Sequence, residues 1–269
     1  MRTALAIACA LLALALPASA SAVVGGTSAK SGTYAYTVAV GDTAGSFCGG
    51  MLIAPRVVLT AAHCLTERRT PLASLRVLVG TPNIGGELTT QAAAHVLGAS
   101  AVIVHPKFSE RSLHYDAALI VLDRAVADVP IIPLATASPA AGAKVSAAGW
   151  GKTGENASSL PSRLRTVTLE IGTTRECRRG NAALGGYFAP SMLCASMPGR
   201  DTCAGDSGGP LVGSVAGRVM LIGITSFGVG CARAGHPGVY TRASAIRSWT
   251  VAQLGLVAAA FPPSAASAA

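Results

Sequence analysis

The sequence predicts an all-β fold, and three observations carry that prediction. Short apolar, β-branched runs recur along the chain, and Gly, Pro, Ser and Thr separate them. The second half repeats the pattern of the first, as expected of a barrel or sandwich. One segment, near the C-terminus, has a loose helical spacing.

Positions 1–22 form a leader in this reading. Arg2 supplies the charged start and Leu5 to Leu16 the apolar stretch. Ala18-Ser-Ala20 or Ala20-Ser-Ala22 supplies a small-residue cleavage site. That stretch is too short for a comfortable membrane span. No later run is long enough either, so a secreted, extracellular protein with no membrane contact is expected. The 51% apolar content comes largely from alanine. Of seven cysteines, Cys9 leaves with the leader. The remaining even set in an exported chain argues for disulfides, although cysteine arithmetic alone allows about fifteen pairings. The net charge is +9, but Arg68-Arg69 and Arg178-Arg179 are only pairs. The expectation is therefore a basic enzyme rather than a nucleic-acid binder.

In chain order, Val23-Val-Gly-Gly26 follows the leader. Strand-like runs come next at Tyr36–Val40, Gly50–Ile53, Val57–Thr60, Leu75–Val79, Ala101–Val104 and Ala118–Leu122. Leu59-Thr-Ala-Ala-His-Cys64 ends one run with His63, and Asp116 opens another. The second half offers Lys144–Ala148, Thr166–Ile171, Leu211–Val212, Val219–Thr225 and Gly238–Tyr240. Between them lies Asp201-Thr-Cys-Ala-Gly-Asp-Ser-Gly-Gly-Pro210. There glycines let backbone N–H groups converge around Ser207, as an acyl-transfer nucleophile requires. A hydroxyl nucleophile also needs a base and a group to orient that base. His63, Asp116 and Ser207 can fill those roles. His95, His105, His114 and His236 lack comparable context and read as surface or core residues. Ile246, Trp249 and Leu254 give Ser244–Leu254 its helical spacing. Residues 257–269 read as a disordered Ala/Pro/Ser tail. Asn156-Ala-Ser158 has the form of a glycosylation sequon.

With these motifs in this order, the chain resembles the trypsin-like (chymotrypsin-fold) serine proteases from Val23 to about Gly255. The resemblance implies two antiparallel six-stranded β-barrels in a 23–256 peptidase domain. The active site lies in the cleft between them, and a short C-terminal helix follows. Ser207 is then the nucleophile, His63 the base and Asp116 its orienter, roles inherited from the family's well-known triad. Gly205 and Ser207 supply the oxyanion N–H groups. Asp201 marks the base of a pocket for Arg or Lys side chains, with Thr202 beside it. Gly228 and Gly238 line the pocket wall, and Ser226 and Phe227 the peptide-binding edge. The Val23 ammonium pairs with Asp206. Disulfides join Cys48 to Cys64, Cys177 to Cys194 and Cys203 to Cys231. Expected partners are protein or peptide substrates and protein inhibitors, for a monomer with no cofactor and no metal.

The chain departs from the family pattern at several points. Ala22 stands where a basic residue usually precedes the new N-terminus, so Val23 is expected to be freed without a tryptic cut. That junction and the alanine-rich composition point to a bacterial secretory route. Phe227 replaces the usual tryptophan. Thr81–Glu87 offers only Glu87 as a carboxylate, so no calcium loop is expected. The competing reading is a catalytically silent, protease-like binding module, against which the intact His63, Asp116 and Ser207 set speaks. A non-peptidase hydrolase is a further alternative, disfavoured by Asp201.

Overall fold

The computed structural model describes residues 23–84, 96–184 and 186–262. The 1–22 leader with its junction, Cys9, Glu87, His95 and residues 263–269 of the tail lie outside the described residues.

Six strands close the first barrel: β2 (Thr37–Asp42), β3 (Gly45–Ala54), β4 (Val57–Thr60), β5 (Arg76–Leu78), β6 (Val96–Val104) and β7 (Ala118–Leu122), in the order β2-β3-β4-β7-β6-β5. The second is built from β8 (Lys144–Gly149), β9 (Arg165–Ile171), β10 (Met192–Ser196), β11 (Pro210–Val215), β12 (Arg218–Phe227) and β13 (Gly238–Arg242). Its order is β9-β10-β13-β12-β11-β8, closed by β8 on β9. In both barrels the third strand pairs with the sixth, so the two share one antiparallel topology. The short β1 (Thr27–Ser28) adds to β9.

Small closed barrels are filled by side chains. Leu52, Val58 and Ile120, which share one face of β3, β4 and β7, are buried in the core of the first, and Val145, Val167, Leu169, Leu211 and Ile222 in that of the second. β4 and β7 are buried along their whole length, which explains their unbroken apolar runs. The connection from β7 to β8 is pinned to both barrels: Ile132 N donates to Leu52 O and Ala135 N to Leu221 O.

Helix α1 (His63–Thr66) is one turn. Helix α2 (Thr174–Gly180) opens with a reciprocal cap. Thr173 Oγ1 accepts from Glu176 N at 3.3 Å, and the Glu176 carboxylate accepts from Thr173 N at 2.8 Å. Helix α3 (Ala243–Ala260) buries Ile246, Thr250 and Val257, and its apolar side joins the first-barrel core through Ile246 and Val257.

Most expected strands form, with shifted ends. The structure adds β1, β10 and α2, and extends β3 back to Gly45. The boundary placed at 257 is corrected. Residues 257–260 continue α3, because buried Val257 still packs and the N–H of Phe261 closes the last turn on Val257 O. The three expected disulfides are in place, with S–S separations of 1.99, 2.14 and 2.06 Å for Cys48–Cys64, Cys177–Cys194 and Cys203–Cys231. Among the described residues no helix is long and apolar enough to cross a membrane.

Candidate active site

Two buried alanines, Ala61 and Ala62, end the β4 segment, and His63 opens α1 directly after them. Asp116 comes from the turn before β7 and is fully buried. Its Oδ1 accepts from His63 N at 2.9 Å, and its Oδ2 lies 2.7 Å from His63 Nδ1. A carboxylate can only accept, so Nδ1 carries the proton and Nε2 keeps its lone pair. The second barrel grips the same residue. Ser226 Oγ donates to Asp116 Oδ2 at 2.5 Å, and Thr241 Oγ1 donates to Asp116 O at 2.8 Å. Burial pushes the His63 pKa down, but the hydrogen bond and charge of Asp116, with Glu67, outweigh it and hold it above 6.5.

Ser207 sits where the barrels touch. Gly49 N donates to Ser207 O at 2.7 Å. Gly208 has φ +79°, and a Cβ there would meet Thr60 Oγ1 at 2.3 Å and Gly49 O at 2.4 Å. Only glycine lets the serine turn approach β4 this closely. Ser207 is thereby carried to the segment just before His63. Among the described residues no hydrogen bond joins Ser207 Oγ to His63. In unliganded sites such bonds are commonly long and tighten when substrate binds. Asp206 N and Gly208 N are used within the protein, donating to Cys203 O and Thr225 O. The N–H groups of Gly205 and Ser207 find no acceptor among the described residues, leaving two donors open to a ligand.

Beside Ser207 lies a cavity of about 310 Å³. Asp201, Thr202, Ser226, Phe227, Gly228 and Gly238 all line it, which brings the expected pocket residues together. Asp201 is 2% exposed. Among the described residues it accepts only backbone hydrogen bonds, from Thr202 N at 2.8 Å and Ala232 N at 3.0 Å. Burial pushes its pKa up to about 6, although those two N–H groups pull the other way. A Cβ on Gly238 would come within 2.8 Å of Asp201 Oδ1, so any larger residue would crowd the carboxylate. Phe227 also packs on the cluster that contains Cys177, Met192 and Val239.

The segment that starts at Val23 is inserted next to this pocket. Val23 is fully buried, Val24 bridges Asp201, and Asp201 N donates to Val24 O. Asp206, 1% exposed, accepts from Gly151 N at 2.8 Å and Cys203 N at 2.9 Å. Burial pushes its pKa up to about 7, against those bonds and with a contribution from the Asp201 charge.

Sequence reading missed Tyr240, Ala232 and Thr241. Tyr240 is fully buried, with its OH 3.1 Å from Thr202 Oγ1. The period-2 alternation of a strand puts it on the same face as Gly238, a signal that was present in the sequence. Ser226, expected at the peptide-binding edge, also proves to bond Asp116. The other described histidines stay outside the site. His105 accepts from Lys107 N through Nδ1, His114 stacks on Phe188, and His236 Nδ1 donates to Gly180 O at 2.6 Å. Cys48, Cys64 and His63 place donor atoms within 4.8 Å of one another, but both sulfurs are spent in a disulfide and offer no thiolate.

Residues 23–250 match the family described as Trypsin. Hypodermin-B of Hypoderma lineatum is 36% identical over 237 residues, covering 87% of this chain and 88% of that protein. Trypsin alpha-4 of Lucilia cuprina is 34% identical over 232 residues, with 85% and 86% covered. Trypsin delta of Drosophila melanogaster is 31% identical over 239 residues, with 88% and 90% covered. These relatives are insect proteins and lend no support to a bacterial origin.

Proposed function

The chain belongs to the trypsin family and is a serine endopeptidase, and on that premise we propose that it is secreted and cuts peptide bonds after arginine and lysine. In this reading Ser207 Oγ attacks the scissile carbonyl while His63 Nε2 takes its proton. His63 then hands the proton to the leaving amine, and the acyl-enzyme is hydrolysed by water activated through the same nitrogen. Asp116 keeps the imidazole in the Nδ1–H tautomer and stabilises the imidazolium. The open N–H groups of Gly205 and Ser207 hold the oxyanion; one such donor is typically worth about 10²–10³ in rate.

The observation that carries the specificity is Asp201. A buried carboxylate without a cation is costly. A substrate guanidinium relieves that cost with two parallel hydrogen bonds, and a lysine ammonium can do so with the nearby Thr202 hydroxyl. Protein inhibitors that present arginine or lysine are the natural macromolecular partners of such a pocket, and we expect the enzyme to act as a monomer.

The test is a matched set of chromogenic peptides ending in Arg, Lys, Phe or Ala, with and without a serine-reactive organophosphonate. Inhibitor-sensitive cleavage confined to Arg and Lys is the expected result. Cleavage after Phe or Ala would keep the nucleophile and overturn the pocket assignment. No cleavage and no labelling of Ser207, in protein confirmed to start at Val23, would point to a silent binding module.

A further inference from the structure

The residue before Asp116 holds an unusual backbone. Tyr115 has φ +53°, a left-handed conformation that bulky L-residues seldom adopt. Leu113, two residues earlier, has φ +51°. Such strain persists only where the surroundings over-determine it. Here the surroundings form a column. The Tyr115 ring stacks on His105 at 5.0 Å with planes 9° apart, and the Lys107 ammonium lies 5.5 Å from the Tyr115 ring centroid. Trp249 of α3 meets His105 edge-on at 4.7 Å. The His105 ring is itself locked. It is 5% exposed, its Nδ1 accepts from Lys107 N at 3.1 Å, and its backbone N donates to Ala117 O at 3.0 Å. By contrast, among the described residues the Tyr115 backbone N–H makes one hydrogen bond, a long one of 3.4 Å to Ser191 Oγ. Backbone bonds brace the neighbouring residues, Leu113 N donating to Ser109 O at 2.7 Å and Ser109 N to His114 O at 3.3 Å, while at Tyr115 itself the ring makes the close contacts.

We infer that Tyr115 is a positioning residue. Clamped by His105 and Lys107 and backed by Trp249, it locks the left-handed turn that sets the Asp116 carboxylate against His63. This rests on the reading of Asp116 as the acid that orients the catalytic base. Rotating φ at Tyr115 back to the ordinary negative region would swing the Asp116 Cα. Both carboxylate contacts to His63 would then lose their alignment. The side chains of Ser226 and Thr241 hold Asp116 from the other barrel, but neither fixes the direction from which the chain enters.

The experiment measures kcat and KM on an arginine peptide, normalised to sites titrated by an organophosphonate. Tyr115→Ala removes the clamp while keeping the left-handed penalty, so kcat per titrated site should fall about tenfold with KM within about twofold. Tyr115→Asn also lacks the stack but tolerates positive φ, and should recover to within about threefold of wild type. Tyr115→Phe should match wild type. Should Tyr115→Ala not accumulate, His105→Leu removes the stacking face and should give the same loss of kcat. Unchanged kcat per site in Tyr115→Ala, or equal losses in Ala and Asn, would overturn the inference, since a mere space-filling ring predicts no recovery by asparagine. A wild type that neither turns over nor labels would instead overturn the proposed function, so the two failures are distinct.

Discussion

Asp201 and His63 are both ionisable groups in one cleft, and the protein pushes them by different physics. Asp201 is raised to about 6 mainly because burial penalises its charge. His63 is raised above 6.5 because Asp116 favours its charged form more strongly than burial opposes it. The consequences for activity separate. In the proposed mechanism His63 must be neutral to accept a proton, so kcat should fall as pH drops through a His63 pKa held above its ordinary value. In the proposed pocket Asp201 must be ionised to bind a cation, so KM for arginine substrates should rise as pH falls through about 6. Replots of log kcat and log KM against pH should therefore break at two distinct places. A single shared break would contradict the assignment. Asp201→Ser should abolish the KM break and cut the preference for arginine over a neutral side chain by about 10⁴-fold, while organophosphonate still labels Ser207. Retained arginine preference would refute the pocket. Asp201 was legible through the family resemblance, which places the pocket carboxylate six residues before the serine that matches Ser207. The sequence hid Ala232 and Thr241, which act on carboxylates far away in the chain, because a hydrogen bond made by a backbone N–H or a strand threonine leaves no mark on composition.

At the scale of elements, the pocket wall depends on loops as well as on β12 and β13. Arg233 and Glu155 form a two-pronged ion pair, Nε to Oε2 at 2.9 Å with a second bond from Nη2 to Oε1. The pair straps the 151–160 loop to the 228–235 loop. It lies directly over Gly230, where a Cβ would meet Arg233 Nε at 2.3 Å, and Gly230 lines the cavity. The hydrogen bond from Arg233, together with the Cys231 backbone N–H, holds the Glu155 carboxyl below its ordinary range. Both side chains are largely solvated, so the pair adds little to stability. Its effect is local charge balance at the mouth of the pocket proposed to take cations. Glu155→Gln leaves Arg233 uncompensated there. KM for arginine peptides should rise about threefold at low ionic strength and return towards wild type in high salt. Arg233→Ala in the same background should remove the penalty. A KM insensitive to salt in Glu155→Gln would rule out the electrostatic origin. Elements such as these loops, β10 and α2 were the least legible. β10 is a five-residue strand of mixed composition, Met-Leu-Cys-Ala-Ser, buried by its place between β9 and β13 rather than marked by periodicity. By contrast β4 and β7 announced themselves because burial on every side requires unbroken apolar runs.

At the scale of the whole molecule, alternation and turns made the strands readable, but barrel closure and strand order are long-range pairings that no local pattern encodes. Their number came from resemblance, and the structure shows why two are needed. Asp116 and His63 come from the first barrel, while Ser207, Ser226 and Thr241 come from the second, so the site exists only where the barrels meet. One more element reaches that junction from far away in sequence, the segment beginning at Val23. Val23 itself is fully buried and Val24 bridges Asp201, while Asp206, with a pKa pushed to about 7 by burial, has only backbone donors among the described residues. A buried carboxylate next to the Ser207 turn calls for a cation, and a freed Val23 α-ammonium would supply one. An α-amine has an unperturbed pKa near 8, and pairing raises it. A group whose folded pKa is raised contributes stability below its unfolded value and loses that contribution as pH climbs through the folded value. Mature protein should therefore start at Val23 by intact mass. Its activity should fall on an alkaline limb above pH about 8, and Asp206→Asn should remove that limb together with most of the turnover. Enzyme that is fully active with residues still attached before Val23 would show that the buried charge is balanced some other way. An alkaline limb that survives Asp206→Asn would show that the limb belongs to another group.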